Sequence, residues 1–408
     1  MSSPLPAIRP LEVHAIEQEG EVRYHLSDPA GYSDHEAWLT PQALFLAAQL
    51  DGSHTAAEVA AALRARFGAA VSEAEVEEAV AQLDEVLFLE SDRFRAHQQA
   101  VDTAFLAAPL RPPAHTAAYE PDPARLPAFL DRLFTAGGGP GAPPAPPHGA
   151  PLAGIVAPHI DIHRGGPVYA HAYRALAEAP PPETAVVLGT CHAGLAHPFA
   201  CLDKGYDTPL GGVEVDSELA AAVRTACPWA FAEATAHRRE HSIEFQALFL
   251  RHLFGDAVRI LPILVDGLHA CLASGGGPAD EPRIATLLDA VAEGVARLGR
   301  RVTYIAAVDL SHVGTHFGDT EPLDAGRLAA VEESDRTLID TLGDGGGDDF
   351  YAAWAATGDA TRVCGAAPLY AFRRLTGASR GELLAYRQCH TPEEDLMVSC
   401  AAMAFPAG

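Results

Sequence analysis

The fold of the larger part of this chain is decided by the stretch LAGIVAPHIDIH at residues 152–163. Its first six residues are small or apolar and have the length of a buried strand, and His159 follows almost at once. The same order recurs in AVVLGTCH (185–192) and in VTYIAAVDLSH (302–312), where an apolar run again leads to a histidine. Three strands that each end in polar residues predict a sheet with a functional edge.

Two further apolar runs of strand length lie at 258–265 and 382–388. Amphipathic stretches that predict helices separate the runs, at 166–179, 217–226, 240–254, 285–299 and 367–376. Nearly continuous apolar strands alternating with helices are typical of a sheet buried on both faces. We therefore predict an α/β fold, a three-layer α/β/α arrangement with a mostly parallel central sheet, over 152–408.

The first part of the chain has a different pattern and predicts a small winged-helix-like α+β domain over 1–106. Its predicted elements are a strand at 21–26, helices at 41–49, 53–68 and 72–83, and a strand at 86–91. The stretch ALFLAAQLDGSHTAAEVAAALRARFG (43–68) resembles PqqD-type peptide-recognition domains. The alternative is a helical appendage that packs on the main domain. Residues 107–151 are rich in Pro and Gly and predict a linker that includes one helix of the main domain.

Composition excludes several classes of partner. The net charge is −26, with 54 acidic and 28 basic residues, which argues against nucleic acid or an anionic membrane surface. No run approaches 18 consecutive apolar residues, and the first residues lack the basic and apolar regions of a secretory signal. The seven cysteines form no CxxC pair. We expect a reduced, cytoplasmic protein.

Candidate chemistry follows from the residue types at the predicted sheet edge. His159, His192 and His312 offer imidazoles, which suit iron, copper, zinc and nickel, and Asp309 lies beside them. Cys364 opens a turn before a helix, whose N-terminus lowers the pKa of a thiol and favours the thiolate. The alternative for each residue by itself is a buried core side chain.

The segment EHSIE (240–244) begins another predicted helix. His241 and Glu244 fall on one helical face, and Glu240 lies close behind, so these side chains could reach one point. The alternative is a polar helix start in which acidic residues are favoured by the helix dipole.

Seven motifs occur in the order found in the Memo family, which includes the bacterial AmmeMemoRadiSam system protein B. They are PHIDIHRGGPVYAHAY, LGTCHAG, DTPLGGVEVD, EHSIEFQ, ILPILV, DLSHVG and CGAAPLYAF. The resemblance spans about 114–405 and implies a fold similar to the LigB subunit of class III extradiol dioxygenases. It also implies a metal pocket lined by His159, His192 and Cys364, with Asp309, His312 and the EHSIE helix beside it.

The chain departs from the family directly after His159. Where the family carries a stretch of the form AGY-YSG, this chain has Asp161, His163 and Arg164. An extended segment would place Asp161 and His163 on the same side as His159, where they could join the metal, and Arg164 could bind an acidic substrate. The alternative is an altered pocket wall that changes specificity alone.

The first functional hypothesis is a metal-dependent redox enzyme with Fe(II), or with Cu or Zn as alternatives, acting on a small molecule or peptide. His312 or His241 would act as general acid or base, and Asp309 would orient a histidine. The second hypothesis is a non-enzymatic peptide-binding or metal-carrying module associated with a radical-SAM system. Metal-dependent hydrolysis ranks last, because neither G-x-S-x-G nor H-E-x-x-H is present.

Overall fold

The structure is a computed structural model that describes residues 3–18, 21–68, 70–377 and 380–407. The chain divides into two compact units, Met1–Ala108 and Pro109–Gly408. All seven cysteines are free thiols. Within the described ranges, no helix is both long and apolar enough to cross a bilayer.

The first unit combines a small antiparallel sheet with helices. Its elements are β1 (Glu12–Gln18), β2 (Glu21–Ser27), β3 (Ala37–Leu39), α1 (Pro41–Ala48), α2 (Ala56–Phe67), α3 (Glu73–Glu85) and α4 (Asp92–Ala107). The sheet order is β1-β2-β3. Thr55 and Ser72 cap α2 and α3 through reciprocal hydrogen bonds with Glu58 and Glu75, as their spacing predicts. The unit is therefore α+β.

The strand predicted at 86–91 was wrong. Leu87 has a positive φ of 62°, and pairing in this segment is limited to an isolated bridge between Ile8 and Leu89. Phe88 and Leu89 are fully buried in the core of the first unit. The apolar run therefore anchors a turn between α3 and α4, and its hydrophobicity reflects burial rather than strand pairing.

The second unit is a three-layer α/β/α domain, as predicted. Its strands are β4 (Leu110–Arg111), β5 (Leu152–Ala157), β6 (Thr184–Thr190), β7 (Phe199–Cys201), β8 (Gly205–Tyr206), β9 (Arg259–Val265), β10 (Val302–Ala307), β11 (His312–Val313), β12 (Glu382–Thr391) and β13 (Leu396–Pro406). Its helices are α5 (Leu126–Thr135), α6 (Ile162–Glu178), α7 (Ser217–Ala226), α8 (Ser242–Phe254), α9 (Leu268–Ser274), α10 (Pro282–Leu298), α11 (Ala325–Asp344), α12 (Gly347–Ala356) and α13 (Ala366–Thr376).

The central sheet of the described chain has eight strands and is mixed. Its order is β11-β13-β5-β10-β6-β9-β7, with β12 paired to β13. The four central strands β5, β10, β6 and β9 are parallel, whereas the outer strands pair antiparallel. The sheet is thus parallel only at its centre, because the C-terminal β12–β13 hairpin, with β11, covers one side and β7 the other.

Helices cover both faces of this sheet. On one face α6 contacts β5 and β13, α8 contacts β6, β9 and β10, and α5 packs on α6 and α8. On the other face α13 crosses β5, β6, β9 and β10, and α7, α10, α11 and α12 contribute to the same apolar core. Segment 136–151, part of the predicted linker, lies against the end of α6, where the His148 N–H donates to the Glu178 carbonyl at 2.9 Å.

The register of the parallel strands aligns their carboxyl ends. Ala307 pairs with Ala157 on one side and with Gly189 on the other, and Gly189 pairs with Leu264. The residues that follow these four strands must therefore emerge along one edge of the sheet.

Candidate metal centre

His159 lies at the floor of this edge, two residues after β5, and is 1% exposed. Its Nδ1 lies 2.9 Å from the Ala307 carbonyl oxygen, and because a carbonyl only accepts, Nδ1 carries the hydrogen. The Nε2 atom consequently holds a lone pair. Burial, together with the charges of His192 and His241, holds the pKa of His159 well below its usual range.

His192 follows β6 and is fixed by Glu240. Its backbone N–H donates to Glu240 Oε2 at 2.9 Å, and its Nδ1 lies 3.1 Å from both carboxylate oxygens. Here too Nδ1 carries the hydrogen and Nε2 is left as the donor atom for a metal. Burial opposes the charged form of His192, but the Glu240 hydrogen bond and charge outweigh it and raise the pKa of His192.

His241 completes a group of three imidazoles. It precedes α8, and its ring stacks on His192 with centroids 4.7 Å apart and lies 5.3 Å from the His159 ring. Each of the three residues offers a ligand atom, and these atoms all lie within 4.8 Å of one another. Burial lowers the pKa of His241 to about 4. We call His159, His192 and His241 the histidine group.

The approach of α8 to β6 depends on Gly189. A Cβ at this position would lie 2.5 Å from Ser242 Oγ and 2.6 Å from a carbon of Ile243. The Ser242 hydroxyl donates to the Thr190 carbonyl at 2.8 Å across the same contact. This close packing brings Glu240 and His241 beside His192.

Cys364 lies beside the histidine group, with Sγ 3.3 Å from His159 Nε2 and 3.6 Å from the Asp309 carbonyl. Gly365 makes this approach feasible, because a Cβ there would lie 2.6 Å from the Asp309 oxygen. Burial, with the Asp309 charge, raises the pKa of the thiol well above its usual value, which opposes the helix-terminus effect expected from the sequence. The group of three neighbouring ligand atoms therefore includes His241, which was not among the predicted metal ligands, and the Cys364 thiol lies beside this group.

Asp309 supports the floor of the site. It is 2% exposed, and its Oδ1 accepts from the His159 backbone N–H at 3.1 Å. Its Oδ2 lies 3.6 Å from His159 Nε2. Burial raises the pKa of Asp309 to about 7, so this carboxyl group changes protonation near neutral pH.

A cavity of about 510 Å³ opens beside the histidine group. Its wall includes His192, Cys364, His269, His312, Asp359 and Arg362. His312 donates from Nδ1 to the Leu310 carbonyl at 3.0 Å, so Nε2 holds the lone pair. Burial lowers the pKa of His312 to about 4, which leaves it neutral at pH 7.

The structure gives Asp161, His163 and Arg164 partners outside the histidine group. The extended segment expected here was wrong, because α6 begins at Ile162 with Asp161 as its cap, accepting from the His163 N–H at 2.7 Å. The His163 side chain is exposed and packs against Phe129. Arg164 donates to the Cys389 carbonyl at 2.8 Å. A helix turns His163 away from the side that an extended chain would present.

Glu244 was considered as a side chain that reaches the same point as His241, but it has a structural role. It is 1% exposed, forms a buried ion pair with Arg111, and accepts from the Tyr119 hydroxyl and the His115 N–H at 3.0 Å. It thereby anchors segment 111–119, which brings the His115 ring within 5.3 Å of the His241 ring. Arg111 and His115 were not predicted as site residues; the one signal for them in the sequence is the start of the family resemblance near residue 114.

Comparison with known proteins shows the family of this chain. A family model described as Memo-like protein matches residues 111–404. This chain belongs to the Memo-like family. A MEMO1 family protein of Methanopyrus kandleri is 33% identical over 300 residues, which cover 71% of this chain and 96% of the relative.

A second relative extends the similarity. A MEMO1 family protein of Aquifex aeolicus is 27% identical over 388 residues, covering 94% of this chain and 96% of its own length. A match of that length reaches into the first unit. A MEMO1 family protein of Methanothermobacter thermautotrophicus is 32% identical over 282 residues, or 68% of this chain and 92% of the relative.

Proposed function

We propose that this Memo-like chain is a metal-dependent redox protein whose ligands are His159, His192 and His241, with the Cys364 thiol available as a further ligand. One observation carries the proposal: His159 and His192 each donate from Nδ1 to a protein acceptor, which leaves a lone pair on each Nε2, and the ligand atoms of the three rings lie within 4.8 Å of one another. The His159 lone pair contacts the Cys364 thiol at 3.3 Å. Metal-binding histidines are typically oriented in this way by an acceptor behind the ring.

Two of the three rings are in the protonation state that metal binding requires. His159 and His241 have lowered pKa values because they are buried, so both rings are neutral near pH 7. Ligation requires neutral imidazole, and no proton has to be removed from these two residues first. The Glu240 carboxylate contributes a negative charge beside the proposed ligands. It lies 3.1 Å from His192 Nδ1 and 3.4 Å from His241 Nδ1, and so links these two rings.

The donor set suits iron, with copper or zinc as alternatives, and such an ion would supply a Lewis-acidic or redox-active centre with open positions for a small molecule. The protein supplies the remaining functions. Asp309 holds or releases a proton at Oδ2 near neutral pH, 3.6 Å from His159 Nε2. His312 presents Nε2 as a proton acceptor in the wall of the cavity.

A reversible metal carrier is the second candidate. The side chains of His192 and His241 are 40% and 28% exposed, so two of the three rings are open to exchange with solvent or with a partner. A peptide partner and a radical-SAM system, both expected from the sequence resemblances, stay predictions.

The test is anaerobic purification followed by metal analysis of the wild type and of four single variants: His159→Ala, His192→Ala, His241→Ala and Cys364→Ser. We expect near-stoichiometric metal in the wild type and loss of most of it in each histidine variant. His171→Ala is the matched control, because His171 lies partly exposed on α6, outside the histidine group, and its Nε2 contacts the Gly138 carbonyl. Equal metal content in all variants would exclude this site.

The Cys364→Ser variant decides the fourth donor. Retained metal with loss of a thiolate-to-metal charge-transfer band would show that Cys364 is a ligand of the same ion. Oxygen consumption with and without catechols then separates the two candidates. Substrate-dependent uptake supports the enzyme, and metal exchange without uptake supports the carrier.

A further inference from the structure

The cavity beside the histidine group is lined by both acidic and basic side chains. They differ in how much of their hydrogen-bonding capacity is already used by protein partners. Asp266 accepts from the backbone N–H groups of Gly267 at 2.6 Å and Leu195 at 2.9 Å. Asp359 accepts from Trp354 Nε1 at 3.0 Å, from the Val363 N–H at 2.8 Å and from His269 Nε2 at 3.1 Å. The carboxylates that line the cavity are therefore already supplied with protein donors.

The basic residues of the wall keep free donor capacity. Arg362 forms an ion pair with Asp319, but Asp319 also binds Arg327 at 2.5 Å, so one carboxylate is shared between two guanidinium groups. The Nε atom of Arg362 is buried and has no hydrogen-bond partner among the described residues. The Arg362 side chain as a whole is 38% exposed and lines the cavity, so its guanidinium group can meet an anion there while it keeps its ion pair with Asp319.

His269 is a second residue of the same wall, and its ring can donate to a ligand through Nδ1 when it is protonated. Because Nε2 is directed at Asp359, Nδ1 is the nitrogen left for a ligand, and the side chain is 49% exposed. The hydrogen bond to Asp359 raises the pKa of His269, which favours the cationic ring. The Trp354 ring packs edge-on against it at 5.2 Å and fixes its orientation.

The backbone of this wall is also unusual. Asp359 and Arg362 both have positive φ values, 52° and 54°, a conformation that side chains other than glycine seldom adopt. Two such residues three positions apart place one carboxylate beside His269 and one guanidinium on the cavity wall, two residues before Cys364. Strain of this kind tends to persist where a site requires it.

We infer that this cavity binds a small organic carboxylate, with Arg362 as its ion-pairing residue and His269, oriented by Asp359, as its second hydrogen-bond donor. The planar carboxylate matches the planar guanidinium, and a volume of about 510 Å³ is of the size that holds a small molecule. As a statement about substrate, this inference rests on the proposed function, because the carboxylate would place the rest of the molecule toward His192 and Cys364.

The inference also explains how a strongly acidic chain can accept an anion. The net charge of −26 repels polyanions at long range, whereas the two donors in the cavity act at contact distance. Selectivity for a small carboxylate over a nucleic acid follows from this difference in range.

The test uses benzoate and its neutral isostere benzamide as probes, titrated into metal-free and metal-loaded protein. Calorimetry gives the dissociation constants, and the ring signals of His269 in carbon-resolved NMR spectra report the site. We expect benzoate to bind at least about tenfold more tightly than benzamide and to shift the His269 signals. We expect Arg362→Gln to remove this preference, and Arg362→Lys, which keeps the charge but not the planar fork, to retain part of it.

Arg297→Gln is the matched control, because Arg297 is exposed on α10 and does not line this cavity. Equal affinity for both probes, or equal losses in Arg362→Gln and Arg297→Gln, would overturn the carboxylate site. Tighter binding of inorganic phosphate than of benzoate would also overturn it. Benzoate binding to metal-free protein that cannot be loaded with metal would uphold the site and refute the proposed function alone.

Discussion

Two clusters of buried polar side chains meet at the start of α8, and they are built on opposite principles. In the first, the anchor cluster, Arg111, Glu244 and His237 satisfy one another and the backbone: Arg111 binds Glu244 and the His237 carbonyl, and the His237 ring bonds Tyr206 and Ala200. In the second, the histidine group with Glu240, Nδ1 of His159 and of His192 donates to a fixed acceptor, and each Nε2 keeps a lone pair.

This difference distinguishes buried polar residues that stabilise the fold from those that are available to bind a ligand. Glu240 and Glu244 are four positions apart, both buried, and both have pKa values held low against the effect of burial, by His192 and by His115 and Arg111 respectively. Electrostatics alone therefore does not distinguish them. What distinguishes them is whether their partners retain an unused donor atom, since such an atom is available to a ligand.

The largest effect should come from breaking the anchor cluster. Glu244→Gln leaves the fully buried Arg111 guanidinium without its counter-ion and should lower the free energy of unfolding by about 3–5 kcal/mol, measured by chemical denaturation. Asp344→Asn, which removes the partner of the exposed Arg380, is the control and should cost less than about 0.5 kcal/mol. Equal effects in the two variants would contradict the distinction.

The pH dependence of stability should come next. Burial lowers the pKa of His237 to about 4 from 6.5, so the unfolded chain takes up a proton that the folded chain refuses. Its contribution is fully present above about pH 6.5 and is lost as the pH falls toward 4, by roughly 3 kcal/mol at most. The free energy of unfolding, measured by denaturation at several pH values between 7 and 4, should fall less steeply with decreasing pH in His237→Gln than in the wild type. An equal pH dependence in the two proteins would refute this assignment.

A smaller effect is expected from Glu240→Gln. The amide keeps the shape of the carboxylate but removes the charge that orients His192, and metal affinity should fall about 10- to 100-fold in a chelator competition. Glu244→Gln, if it folds, should change metal affinity less. A reversed order would mean that the two carboxylates have exchanged roles.

The smallest effect should follow from His163→Ala. This histidine is exposed on α6 and packs against Phe129, so metal content should not change and stability should change by less than about 0.5 kcal/mol. Loss of metal in this variant would mean that His163 is a metal ligand, as the extended segment predicted from the sequence suggested.

The sequence predicted the central strands because each is a local signal. Strands β5, β6, β9 and β10 are uninterrupted apolar runs with polar residues directly behind them, and periodicity over a few residues suffices to find them. The same signal failed for β13, whose residues Leu396–Pro406 are almost all buried but were not recognised as a strand. It also misled at 86–91, where apolar residues are buried in a turn.

By itself, the sequence determined the order of the four central strands, the family, and the set of polar residues that follow those strands, since these depend on neighbours along the chain. Only the tertiary structure decided which side chains meet. His241 joins His159 and His192 because α8 closes on Gly189, and Glu244 turns to Arg111, 133 residues away. Those choices depend on packing between distant segments, for which the spacing of residues along one helix carries no information.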